Sequence, residues 1–111
     1  MSRRITRIND EIKEQSAIII GGLKDPRLET LITVVNVDTT QDLKFCKIYV
    51  SIMGTNEEKQ KSLQALKSAS GFIKKQLAQG INLRQTPDLT FVLDSSLDHA
   101  MRIQEILDEV N

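Results

Sequence analysis

The residues with intrinsic chemical reach are few. Cys46 and His99 are the only cysteine and histidine among 111 residues. A lone cysteine closes no internal disulfide, and one cysteine with one histidine assembles no metal cluster. His99 has only Ser95 and Ser96 as local hydroxyl partners, and Cys46 falls within an apolar alternation that reads as a strand core. No phosphate-cradling glycine motif of the Walker or dinucleotide type occurs. Catalysis needs a base with its nucleophile, a carboxylate pair or a metal. The sequence presents none of these, so it predicts no enzyme, no cofactor and no metal.

The chemistry it does present is cationic. The whole chain is neutral, with 15 basic and 15 acidic side chains, but the charge is segregated. Between residues 55 and 87, Lys59, Lys61, Lys67, Lys74, Lys75 and Arg84 stand against Glu57 and Glu58, a net +4. Between 88 and 111, Arg102 stands against Asp88, Asp94, Asp98, Glu105, Asp108 and Glu109, a net −5. Arg3, Arg4 and Arg7 open the chain at what reads as a helix N-terminus, where the dipole favours acids instead. Cations set against the local field point to an external anion, and this distribution leaves a polyanionic partner open that net charge would have hidden.

The elements that must position these cations follow from periodicity. Ile5, Ile8, Ile12, Ser16, Ile19 and Leu23 mark one face of a helix over about 4–21, with Ser2 as its N-cap. Lys24-Asp25-Pro26-Arg27-Leu28 is a proline turn. Residues 31–39 are rich in β-branched side chains (Ile32, Thr33, Val34, Val35 and Val37), and Phe45 to Ile52 alternates with Cys46, Ile48, Val50 and Ile52 on the apolar face. About five residues join the two strands, which predicts an antiparallel hairpin. Thr55 and Asn56 supply an N-cap for a helix with the stripe Leu63, Leu66, Ser70, Ile73 and Leu77. Phe72 lies off that stripe, so a straight helix would leave it in water. Ser70-Gly71 immediately before it tolerates a sharp kink. Two helices, about 56–69 and 71–79, are therefore predicted, with Gly80 capping the second. A third strand over 89–93 and an acidic C-terminal helix over about 96–110 complete the chain. Phe45, Tyr49, Phe72 and Phe91 all fall in elements where core packing accounts for them, which argues against base stacking and for recognition of shape and phosphate.

The order α-β-β-α-kink-α-β-α predicts an α+β, KH-like fold in its prokaryotic (type II) arrangement. It reads as one domain over residues 1–111, with its core at about 4–94. A KH domain clamps nucleotides at a GXXG loop between its two helices; here that position holds Ser68-Ala69-Ser70-Gly71.

Six short segments occur in a telling order. They are Lys24-Asp25-Pro26-Arg27-Leu28, Asp42-Leu43-Lys44 with Lys47-Ile48-Tyr49-Val50-Ser51, Ala69-Ser70-Gly71-Phe72-Ile73, Leu83-Arg84, Pro87-Asp88-Leu89-Thr90-Phe91 and Asp94-Ser95-Ser96-Leu97. On these residues the chain resembles the bacterial ribosome-binding factor A family over nearly its full length. In that family an Ala-X-Gly kink replaces GXXG, matching Ala69, Ser70 and Gly71. The resemblance implies binding to the free small ribosomal (30S) subunit and help in late 16S rRNA maturation, including 5′-end processing, with maturation GTPases as collaborators by analogy. Cys46 stands where the family often has Ala and Lys74 where Arg is frequent, and the sequence ends at Asn111 without the tail some members carry.

Physical reading and resemblance converge on an rRNA-binding surface. Lys67, Lys74 and Lys75 flank the bend, Arg84 follows, and Arg3, Arg4 and Arg7 extend the field if the first helix lies nearby, as the resemblance implies. Gly71 keeps side-chain bulk away from an approaching backbone. A generic KH-like RNA chaperone is the alternative, and a small-molecule-sensing regulatory domain a more distant one. With no long apolar run and no signal peptide, the expected setting is the cytoplasm, and nothing demands more than a monomer.

Overall fold

Why the apolar stripes and alternations assemble as they do is visible in a computed structural model that describes residues 3–28, 30–83 and 85–94. Ser2, Arg84 and the expected C-terminal helix lie outside the described residues. Helix α1, Arg3–Gly21, buries Ile5, Ile8, Ile12, Ser16 and Ile20. The face is the expected one, except that Ile20 takes the place assigned to Ile19 and Leu23, which are only partly buried. From Ser16 a step of four residues holds the core-facing line better than a step of three. The buried Ser16 hydroxyl is satisfied by donating to the Lys13 carbonyl at 3.2 Å.

Strands β1, Ile32–Thr39, and β2, Phe45–Ile52, pair antiparallel, with a register shift between Val34 and Asn36. Cys46, Ile48, Val50 and Ile52 are all buried, as the alternation predicts. The five-residue connection is closed by side chains. Thr40 Oγ1 donates to Asp42 Oδ1 at 2.7 Å, and Asp42 Oδ1 accepts the Lys44 N–H at 3.1 Å. Helices α2, Asn56–Ser68, and α3, Ser70–Gly80, then carry the chain across the sheet. Strand β3, Asp88–Leu93, returns parallel to β2, giving the order β1-β2-β3. A parallel neighbour needs such a crossover, and the α2–α3 pair provides it. The observed α-β-β-α-α-β order with a mixed three-stranded sheet is the expected α+β arrangement.

Ile12, Ile48, Leu66, Ile73 and Leu77 are almost wholly buried, joining α1, β2, α2 and α3 in one core. At about 25 cal/mol per Å2 of apolar surface, each contributes on the order of 1.5–3 kcal/mol. Gly80, the expected cap of α3, is instead its last helical residue. Ile81 is the cap, its N–H bonding the Leu77 carbonyl. A Cβ at Gly80 would come within 3.2 Å of Gln15 Oε1 on α1, which would have to shift slightly. No described helix is long and apolar enough to cross a membrane.

Candidate nucleic-acid interface

The bend between α2 and α3 is built from local hydrogen bonding. Thr55 starts α2 with a capping box: its hydroxyl accepts the Glu58 N–H at 3.2 Å, and Glu58 Oε1 accepts the Thr55 N–H at 3.1 Å. Satisfying the first-turn N–H groups fixes where this helix begins. It ends at Ala69, with φ −89° and ψ 0°, which is at once the C-cap of α2 and the N-cap of α3. The Ala69 N–H is shared between the Ala65 and Leu66 carbonyls at 3.0 and 3.1 Å, and the Ala69 carbonyl accepts from Ile73 N–H at 2.9 Å. Ser70 Oγ bonds back to the Lys67 carbonyl at 2.8 Å, a bond of the kind that bends helices. The two helices expected from Ala69-Ser70-Gly71 are present.

Burial of Phe72 is not what the bend achieves. Phe72 is 53% exposed, so the kink does not turn it into the core. Leu66, Ile73 and Leu77 stay buried on both sides of the bend. The stripe therefore passes through it, leaving Phe72 rotated by about 100° from Ile73. Phe45 is 57% exposed as well. Core packing accounts for Phe91, which is buried, and partly for Tyr49, but not for the other two aromatics.

The bend lysines divide. Lys74 Nζ donates to Asp88 Oδ1 at 2.7 Å, tying α3 to the first residue of β3. Lys67 and Lys75 are exposed and have no ion-pair partner among the described residues. Gly71 is exposed, and a Cβ added there would meet nothing within 4 Å. Internal packing therefore does not demand glycine, and the backbone is open to an approaching molecule. Arg3, Arg4 and Arg7 are exposed on the first two turns of α1, with Arg7 Nε 3.9 Å from Glu11 Oε1. Helix α1 is held to β1, where Asn9 Oδ1 accepts the Thr39 N–H at 3.1 Å, and to the far end of α3 at Gly80.

Elsewhere the charges serve the fold. The Asp25 carboxylate accepts from the Arg27 guanidinium, with Nη2 at 2.9 Å, and from the Arg27 N–H at 2.9 Å. Those bonds hold Asp25 below the usual carboxylate range. Burial pushes the Cys46 thiol up, away from thiolate chemistry. No metal-binding group of three His, Cys, Asp or Glu occurs among the described residues.

Sequence reasoning missed the Lys74–Asp88 pair, whose partners are 14 residues apart. The exposure of Phe72 did have a signal: its off-stripe position, which sequence reasoning assigned to a kink that would bury it.

Known proteins share this architecture and much of its sequence. The family model described as Ribosome-binding factor A matches residues 4–107. The chain is 45% identical over 108 residues to a Clostridium botulinum ribosome-binding factor A, covering 96% of this chain and 90% of the relative. It is similar to the crystal structure of ribosome-binding factor A from Thermus thermophilus, with TM-score 0.72 and 29% identity, covering 80% of this chain and 93% of that one. A homology model of the Thermus thermophilus factor, fitted into the cryo-electron-microscopy map of its complex with the 30S subunit, matches with TM-score 0.65 and 30% identity. That match covers 78% of this chain and 91% of the other.

Proposed function

The chain belongs to the ribosome-binding factor A family, and from that premise we propose that it is a non-catalytic assembly factor. It binds the free 30S subunit and supports late maturation of 16S rRNA, including processing at the 5′ end. It works as one cytoplasmic domain.

The single observation that carries the docking face is the outward side of the α2–α3 bend. There Lys67 and Lys75 are exposed and have no ion-pair partner among the described residues, beside a glycine that faces open space. Each free ammonium that meets a phosphate releases condensed counterions, so affinity follows from charge and falls as salt rises. Lys74 contributes less, because Asp88 already holds it at 2.7 Å. Arg3, Arg4 and Arg7, exposed on α1, and Arg84 join the set on sequence grounds. Phosphate contacts of this kind position a protein on folded RNA without reading its sequence.

The test is co-sedimentation of purified chain with isolated 30S subunits over a salt series. The Lys67→Ala/Lys75→Ala double variant is expected to bind more weakly. Its log–log salt slope should be shallower by roughly 0.7–0.9 for each phosphate that is no longer neutralised, with thermal unfolding unchanged. Unaltered affinity and slope would remove the bend from the interface.

A further inference from the structure

The bend carries an aromatic that folding leaves half exposed. Phe72 is 53% exposed in the first turn of α3, while its neighbour Ile73 is fully buried. Its companions on the helix surface at i+3, i+4 and i+7 are Lys75, Gln76 and Gln79, all polar. The preceding residue, Gly71, faces open space. A ring inside an apolar protein-docking patch would be surrounded by other apolar side chains. By helical spacing this one has a cation and two amides on its C-terminal side, and Ser68 and the small, partly buried Ala69 on its N-terminal side. Bare backbone lies next to it at Gly71.

Those components match the parts of one unpaired nucleotide. An aromatic face stacks a base of any identity, an ammonium meets its phosphate, and a glycine lets the sugar-phosphate chain come close. Lys75 is well placed for this, because residues three apart on a helix have Cβ atoms about 5–6 Å from each other. Bases within an A-form duplex are stacked on one another and cannot be reached by such a ring.

We propose that Phe72 stacks an unpaired nucleobase of the small-subunit RNA while Lys75 contacts the adjoining phosphate. The bend then binds a single-stranded nucleotide and does not merely lie against a duplex backbone. This rests on the 30S reading above and adds to it the class of RNA element engaged.

Three variants separate the possibilities, each checked by thermal unfolding and then assayed by co-sedimentation with isolated 30S subunits. Phe72→Ala is expected to weaken binding by about 5- to 160-fold, the range of one base–aromatic stack. Phe72→Leu keeps an apolar side chain without a π-face and should fall with it, whereas Phe72→Trp should bind as the parent does. The parent contains no tryptophan, so Phe72→Trp is also a single-fluorophore reporter, and its emission should be quenched by a short unstructured oligouridylate. The Phe72→Ala loss should be a constant factor between about 50 and 200 mM salt, because stacking releases no counterions. Parent-like binding by Phe72→Ala overturns the stacking interaction and leaves the 30S reading standing. Parent-like binding by Phe72→Leu also overturns it, assigning the ring to an apolar contact with a ribosomal protein. If the parent chain does not bind subunits, the 30S reading fails and this proposal with it.

Discussion

Two junctions between elements of this molecule leave their polar and charged groups in opposite states. The Asp25-Pro26-Arg27 turn and the Ala69-Ser70-Gly71 bend each combine a small or polar residue with nearby cations. At the turn the Arg27 guanidinium is held by Asp25, and the Arg27 carbonyl accepts from the buried Ser62 hydroxyl at 2.7 Å, fastening the turn to α2. At the bend, among the described residues, the backbone, Ser70 and Lys74 find internal partners. Lys67, Lys75 and Phe72 are presented outward. A cation already paired within the fold has little to offer a polyanion, so residue type alone does not mark a binding surface. The unspent interactions do.

The contrast can be broken at the turn first, where the largest effect on stability is expected. Ser62→Ala strands the Arg27 carbonyl and should destabilise by about 1–3 kcal/mol, less a few tenths returned by the better helix propensity of alanine. Urea unfolding measures this, and 30S binding under folding conditions should not change. An equal stability for Ser62→Ala would mean that the turn is not fastened through that hydroxyl.

At the bend the signs should oppose each other. Gly71→Ala places a methyl in open space within a helix and should stabilise by roughly 0.5–1 kcal/mol. The same methyl should weaken 30S binding, because it occupies the approach to the backbone. A variant that gains stability and binds as tightly as the parent would show that nothing comes close at this glycine.

The smallest effect is expected from acid. The Arg27 hydrogen bonds hold the Asp25 carboxyl below its ordinary value, so just under that value, about 3.9, the unfolded chain binds more protons than the folded one. Stability therefore rises with pH through this range. The contribution is complete above the ordinary value and disappears as pH falls through the lowered one. Asp25→Asn should flatten the acid limb of the urea midpoint against pH, whereas Lys75→Ala should leave that limb alone.

Much of the architecture was legible locally. The period of β2 named its four buried residues, Thr55 and Asn56 announced the start of α2, and Ser70-Gly71 located the bend to within a residue. Each of these signals is carried by neighbours a few positions apart, where backbone geometry fixes which side chains share a face. The state of the site was less legible. Lys74 and Lys75 are adjacent and chemically equal in sequence, yet one is bound by Asp88 and the other has no ion-pair partner among the described residues.

The order of the elements over residues 3–94, the neutral total with its segregated charge, and the want of a catalytic set were all written in the linear chain. Packing alone settled that β3 lies parallel to β2, that Gly80 sits where Gln15 approaches, that Lys74 is consumed by an ion pair and that Phe72 remains in water. The division has one physical cause. Periodicity specifies which way a side chain points relative to its own element, but which charges are neutralised and which rings are covered depends on groups brought close only when the elements pack.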